Sequence, residues 1–434
     1  MRYLVYFALC VLIPSGVLSA RELSLTEAFR LAREHSLAVK QAQANADAAV
    51  SLHGAAQRDR LPVLDLQAMA SYVDYVPTLD IALPLGQSFS RELGTNENYQ
   101  TDVRLTFPLY TGGRISGGID RASAIARVNQ ALAAASVDQV YLQTRVEYYQ
   151  LYRFDRLHAA ADASRQRATI TAEDVQSMYD AGVADSTDLL EARLNFTEAD
   201  LARTQAAGAR RSAEIRLLTL LGLDYEESLV LTEPIDQPSA LPPTEPVSET
   251  KPELRAARES VAVGDAEVRM QRGGYLPSLA AFGGWSYGKP NLDRFNDTWN
   301  DYFTVGARLT WSFNTGNKTG RQVRAAEYAR EATHRHYDEV SETLNREAQL
   351  RRQQLQLAYD GYLTARTRFE IATDNYRLAR TRHRDGDLAS NRLLEIEQTL
   401  AAAESSLAAA VADYHIARSA WLYAIGSELL KEGN

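Results

Sequence analysis

Apolar and polar positions alternate strictly from Tyr99 to Tyr110, with Tyr99, Thr101, Val103, Leu105, Phe107 and Leu109 on one side and Gln100, Asp102, Arg104 and Thr106 on the other. Phe303, Val305, Ala307, Leu309, Trp311 and Phe313 alternate in the same way with Thr304, Arg308, Thr310 and Ser312. A weaker pair of runs sets Leu64, Leu66, Ala68, Ala70 and Tyr72 beside Leu279, Ala281, Gly283, Trp285 and Tyr287. A period of two predicts four strands. Aromatic residues on the apolar side suit a lipid-facing barrel strand, and an ordinary half-buried sheet fits the alternation equally well. Four strands cannot close a membrane barrel, whose smallest examples have about eight, so a membrane-spanning reading requires several chains to share one.

The period then changes. From Arg114 to about Tyr179 the chain is rich in Ala, Gln and Arg and contains no proline, which predicts one helix about 100 Å long. A return helix follows from Asp188 to Leu221, and Ser24 to about Arg60 supplies an N-terminal helix. The second half predicts the same parts: Thr250 to Gly273, Arg321 to His383 and Arg392 to Ile425. In the last of these, Leu393, Ile396, Leu400, Ala403, Leu407 and Ala410 step by three and four, the spacing of a narrow coiled-coil seam. Arg346 to Gln356 is polar enough to face water.

The halves coincide. At an offset of 204, Arg104-Leu105-Thr106-Phe107 pairs with Arg308-Leu309-Thr310-Trp311, Thr111-Gly112 with Thr315-Gly316, Gly182 with Gly386, Leu189-Leu190-Glu191 with Leu393-Leu394-Glu395, and Gly222 with Gly426. An ungapped match over this length predicts a duplicated unit. Upstream the offset becomes 215, pairing Leu61-Pro62 with Leu276-Pro277, so the first hairpin (about 61–110) has a longer loop than the second (about 276–313). The expected organisation is a first repeat at 21–223, a proline-rich connector at 224–249, a second repeat at 250–426 and a tail at 427–434. Six prolines between Glu233 and Pro252 mark the connector.

Composition narrows the compartment. Residues 1–20, with Arg2, an apolar core from Leu4 to Ile13 and Ala20 before Arg21, read as a cleavable export signal. The only cysteine, Cys10, lies in this core without a small residue before it, so lipidation is not expected, and thiol chemistry is excluded from the mature chain. Loss of Arg2 moves the formal net charge from −9 to −10, which argues against a nucleic-acid partner. The seven histidines are scattered, and His334 and His336 point to different sides of a helix, so no metal or cofactor is expected. Gly112-Gly113 and Gly117-Gly118 match neither phosphate-loop nor dinucleotide spacing, and no constellation argues for an enzyme.

LSLTEAFRLAREHSLAVKQAQANADAA near the start, LPVLDLQ and YLPSLAAF entering strands, FPLYTGGR leaving one and MYDAGVADSTDLLEA at a helical turn together resemble the TolC family of outer-membrane efflux and secretion channels. The resemblance spans about residues 21 to 430. It implies a homotrimer in which four strands per chain complete a shared twelve-stranded barrel in outer-membrane lipid, continued by a long α-helical barrel in the periplasm. The chain would be the exit duct of a tripartite efflux or type I secretion system, passively conducting substrates. Its implied partners are a periplasmic adaptor (membrane fusion) protein and an inner-membrane pump of RND, ABC or MFS type. Family members often carry Asn-Pro where this chain has Ser36-Leu37.

Thr111, Gly112, Gly113, Thr315 and Gly316 are then expected at the strand-to-helix junctions. The turns are expected at the periplasmic end, with Gly182 and Gly386 as left-handed caps and Asp185 with Asp188, or Ser390 and Asn391, capping the helices that follow. The resemblance implies that Gly182, Val183, Ala184, Asp185, Gly386, Asp387 and Leu388 meet the adaptor. It also places the periplasmic gate at Asp188, Glu191, Arg392 and Glu395, where Arg392 departs from the family's acidic rings and allows mixed-sign pairing. The alternative class is a periplasmic coiled-coil structural or adhesive protein without a pore.

Overall fold

The computed structural model describes residues 21 to 432, apart from 85, 93, 233, 234, 236, 239 and 294 to 296; the expected export signal lies outside the described residues. The elements run β1 (Arg21–Leu23), α1 (Leu25–His35), α2 (Leu37–Arg58), β2 (Val63–Tyr72), β3 (Thr78–Leu83), β4 (Gln87–Glu92), β5 (Glu97–Tyr110), α3 (Arg114–Asp180) and α4 (Ser186–Leu221). They continue with β6 (Leu229–Leu231), α5 (Pro252–Arg272), β7 (Ser278–Lys289), β8 (Asn300–Thr310), α6 (Lys318–Arg384) and α7 (Ser390–Ile425). The long helices α3 and α6 each have 67 residues, and the return helices α4 and α7 each have 36.

Contacts group the chain into two compact units. The unit formed by 43–132 and 253–340 holds a four-stranded antiparallel sheet in the order β2-β5-β7-β8. Its register sets Leu66, Val103, Trp285 and Phe303 in one row and Leu64, Leu105, Gly283 and Val305 in the next, so the predicted apolar faces of all four strands coincide. Gln67, Asp102, Ser286 and Tyr302 form a polar row on the opposite face. The helices of this unit are tied by ion pairs between α3 and α5, Arg121 to Glu267 at 2.9 Å and Arg127 to Glu259 at 2.7 Å.

The other unit, 21–42, 133–252 and 341–432, has its core at the middle of the long helices. Leu23, Phe29, Tyr148, Tyr149, Leu217, Leu218, Leu221 and Leu229 are buried together where α1, α3 and α4 meet the short parallel pair β1–β6. Trp421, Leu422 and Ile425 of α7 pack on Leu355 of α6 in a second cluster. The Arg145 guanidinium donates from α3 to the carbonyls of Leu430 and Leu429, at 2.9 and 3.0 Å, and so fixes the tail to the helix. Gly222 and Gly426 end α4 and α7 in the left-handed region, with φ of 68° and 70°.

Two local expectations are corrected and two segments gain detail. The N-terminal helix is broken at Ser36, whose hydroxyl accepts from the Val39 N–H at 3.3 Å; a serine cap starts α2 here in place of Asn-Pro. The long first loop contains a hairpin of its own, β3–β4, which accounts for the change in offset. The connector contributes β6, too short to show a period. The last strand ends at Thr310, because β7 starts at Ser278 and leaves Trp311 and Phe313 nothing to pair with.

Candidate functional site

The apolar face of the sheet is uncovered. Leu64, Leu66, Leu105, Leu309, Phe303 and Val305 are all exposed, the last two at 81% and 90%, far beyond what a solvated sheet face carries. Aromatic rings bound this face at both ends. Trp285, Tyr287, Trp299 and Tyr99 stack in succession at centroid distances of 5.9, 5.0 and 5.9 Å, and Trp311 lies 4.7 Å from Phe313 after β8, with Phe107 and Tyr110 exposed on β5 across the intervening β7. About eight residues of strand separate Tyr99 from Phe107, which matches the roughly 25 Å apolar band between aromatic girdles in a membrane barrel. Strands β2 and β8, of 10 and 11 residues, lie at the two edges of the sheet, each with one side of its backbone unpaired. Free edges of that length pair with further strands.

The junctions obey different backbone rules. Gly112 and Gly113 both have positive φ, 64° and 86°. A Cβ on Gly112 would lie 2.7 Å from the Gly273 carbonyl oxygen, so the turn into α3 needs glycine for both conformation and contact. At the second junction Thr315 and Gly316 lie in the turn, yet the left-handed residue is Asn317, with φ of 54°. Asn tolerates this region without the steric cost that other side chains meet.

The helical turns also differ. Gly182 and Gly386 have φ of 74° and 82° and open space around them. The Asp185 carboxylate accepts from the Thr187 N–H at 2.7 Å and the Asp188 N–H at 2.9 Å, and Asp188 closes the box by accepting from the Asp185 N–H at 3.5 Å. Bonds from the Asp188 and Thr187 N–H groups hold the Asp185 carboxyl below its ordinary range. The second turn departs from expectation: its cap is Ala389, without a side-chain bond, and Ser390 is already in α7. Here the His383 ring donates through Nδ1 to the Leu388 carbonyl oxygen at 2.8 Å. His383 was not among the expected site residues; its one sequence signal is its place three residues before a glycine turn.

Of the four expected gate residues, Arg392 and Glu395 form an exposed ion pair on α7. Asp188 is occupied in the capping box, while Glu191 is exposed and among the described residues makes no ion pair. Val183, Ala184 and Asp185 surround the first turn, with Val183 79% exposed, and Asp387 and Leu388 surround the second. Along α6, Leu350, Leu357, Ile371 and Leu378 are exposed on a seven-residue register, and on α4 Leu190, Leu194 and Leu201 are exposed. Uncovered stripes of this spacing are coiled-coil surfaces. The described residues contain no group of three or more His, Cys, Asp or Glu arranged to hold a metal, and no helix among them is long and apolar enough to cross a membrane.

The pattern described as "Outer membrane efflux protein" matches residues 28–223 and 247–427. The chain is 24% identical over 319 residues to the outer membrane protein TolC of Vibrio cholerae, an alignment that covers 70% of this chain and 68% of that one. It is 26% identical over 180 residues to the alkaline protease secretion protein AprF of Pseudomonas aeruginosa, covering 39% of this chain and 37% of AprF. The open-state structure of the MtrE outer membrane channel of Neisseria gonorrhoeae superposes with a TM-score of 0.75 at 18% identity, covering 94% of this chain and 89% of that one. With the family pattern spanning most of the chain and a sheet with an uncovered apolar face in the fold, this protein belongs to the outer membrane efflux protein family, a channel of the outer membrane that serves efflux or secretion and not an enzyme.

Proposed function

We propose that the chain assembles as a homotrimer whose three four-stranded sheets close into one twelve-stranded barrel, and whose helices close into a periplasmic tunnel. The observation that carries this reading is the sheet with an apolar face and two unpaired edges, β2 and β8. Pairing β8 of one copy with β2 of the next leaves no edge free, and three copies reach a strand number that can enclose a pore. The exposed stripes on α4 and α6 would be buried in the same closure. Residues 1–20 act as the export signal, and 21–223 and 250–426 are copies of one ancestral unit joined by the connector at 224–249, which the equal helix lengths support.

In this reading the trimer is the exit duct of a tripartite efflux or type I secretion system. A periplasmic adaptor meets the turns at Gly182, Val183, Ala184, Asp185, Gly386, Asp387 and Leu388, and an inner-membrane pump does the work. Arg392 and Glu395 line the entrance near Asp188 and Glu191, and the Arg392–Glu395 pair lowers like-charge repulsion across the narrowed pore. The test is single-channel current from purified protein in planar bilayers. Native protein is expected to conduct in small steps and Arg392→Ser in larger ones; absence of conductance in a correctly folded trimer would refute the duct, and unchanged steps would refute the gate.

A further inference from the structure

The polar face of the sheet, opposite the uncovered apolar one, carries an aromatic ring. The strand register places Thr106, Phe282 and Gly306 in one row of that face. Glycine makes room for the ring, since a Cβ on Gly306 would lie 2.8 Å from Phe282 Cζ. Arg308 brings its guanidinium to 5.5 Å from the centre of the same ring. With Arg104, Asp102, Tyr302 and Thr304, these two side chains line a cavity of about 180 Å³. A space of about 150 Å³ is enough to take one benzene ring.

Both arginines of the cavity are uncommitted. Asp65 stands directly across from Arg104 on β2, and Asp102 accepts from the Gln100 amide at 3.1 Å. Among the described residues neither carboxylate comes within ion-pairing distance of Arg104 or Arg308, whereas Arg121 and Arg127 on the helices of the same unit are both paired. A guanidinium left without a carboxylate on the wall of a concave site keeps its planar fork of donors for an anion arriving from outside.

Duplication accounts for the two arginines and not for the ring. The offset of 204 that equates Arg104 with Arg308 equates Asp102 with Gly306, and the upstream offset of 215 equates Gln67 with Phe282. Gln67 pairs with Asp102 across β2 and β5, as Phe282 pairs with Gly306 across β7 and β8. One copy holds an amide beside a carboxylate; the other holds a ring beside a glycine, so the space for a second ring belongs to the second copy alone.

We propose that Phe282, Arg308 and Arg104 form a binding site for planar organic anions, an aromatic carboxylate being the simplest, with the ligand's ring on Phe282 and its charge against Arg308. Arg104 adds a second positive charge across the cavity. Ring contact and a charge-assisted hydrogen bond act on opposite ends of such a ligand, which favours it over a small anion and over a neutral ring alike. The inference rests on the barrel reading, in which this face is the inner wall and passing cargo meets one site per chain; the site itself is complete within one chain.

The test adds full-length protein in detergent to para-fluorobenzoate, para-fluorobenzamide or fluoroacetate and follows the fluorine NMR line width against detergent alone. Para-fluorobenzoate is expected to broaden well beyond the other two. Arg308→Gln should weaken its binding by roughly tenfold or more, the loss of one charge-assisted hydrogen bond, and Arg104→Gln by less. Phe282→Leu should bring para-fluorobenzoate down to the level of fluoroacetate and leave fluoroacetate unchanged. Should Arg308→Gln fail to assemble, Arg308→Lys, which keeps the charge and loses the fork, is expected to bind several times more weakly than native protein. Equal broadening of the amide and the carboxylate, or native affinity in whichever Arg308 variant assembles, overturns the site. Current in planar bilayers separates the two readings: protein that conducts and leaves para-fluorobenzoate sharp refutes the site alone, whereas protein that binds it and carries no current refutes the duct and leaves the site standing.

Discussion

The first and second helical hairpins have the same lengths and are held by different forces. Between α3 and α4, the apolar contact of Val175 with Leu189 and Ala192 is joined by a ladder of ion pairs in which Arg203 meets Asp162 at 2.7 Å, Arg165 meets Asp200 and Arg210 meets Asp155. Between α6 and α7 the contacts are apolar: Ala372 with Leu400 and Ala403, then Ala379 with Leu393 and Ile396. The first turn is closed by a side-chain capping box and the second by a buried ring. Equal geometry has been reached through unequal chemistry, which leaves the first hairpin more sensitive to salt than the second. Half-exposed ion pairs weaken with ionic strength, whereas a buried polar group is shielded from it.

The largest effect is expected where the hairpins join. Arg167 and Glu404 connect α3 to α7 and are 15% and 19% exposed, so Arg167→Ala leaves a carboxylate without its partner and should cost about 3 kcal/mol of stability, read as a lowered urea midpoint. Gly222→Ala and Gly426→Ala compare the equivalent helix ends: both force a side chain into the left-handed region at about 1 kcal/mol. The first should lose more, since its Cβ would lie 2.1 Å from the His35 ring against 3.0 Å from Lys251, and thermal unfolding of the two variants checks the order. Ala389→Ser should stabilise the second hairpin by about 0.5 to 1 kcal/mol by supplying the missing cap, seen as slower amide exchange at the start of α7. Asp185→Ala should speed exchange at Thr187 and Asp188. Because the Asp185 carboxyl is held low, its contribution is complete above the unfolded value of 3.8 and disappears as pH falls through the folded one; exchange at the two amides should converge with that of the variant in acid.

Much of this comparison was legible in the sequence. The matched strands at Arg104 and Arg308 and the glycine turns at Gly182 and Gly386 rest on local rules, the period of a strand and the backbone freedom of glycine, and they lie where those rules put them. The difference between the hairpins was not legible, because the partners are remote: Thr171 and Glu397 are 226 residues apart and Arg167 and Glu404 237. Asp185 followed by Asp188 announces its cap in four residues, while Ser390 carried the same signal and settled one residue inside its helix. The break at Ser36 escaped notice because serine is tolerated within a helix as well as at its start.

The shared count of 67 residues in α3 and α6 has a consequence for how such a chain can change its length. Each added residue advances a helix by about 1.5 Å and turns everything beyond it by about 100°. One residue inserted between Arg145 and Arg167 would leave the first still clamped to the tail and swing the second away from Glu404. Two whole turns, about seven residues, nearly restore the phase, but only if α4 gains the same seven, so that the Arg–Asp ladder between the two helices stays matched. Growth is thus confined to quantised, paired steps, like lengthening a zip by adding teeth to both sides at once, and natural relatives of different reach should differ by multiples of that step.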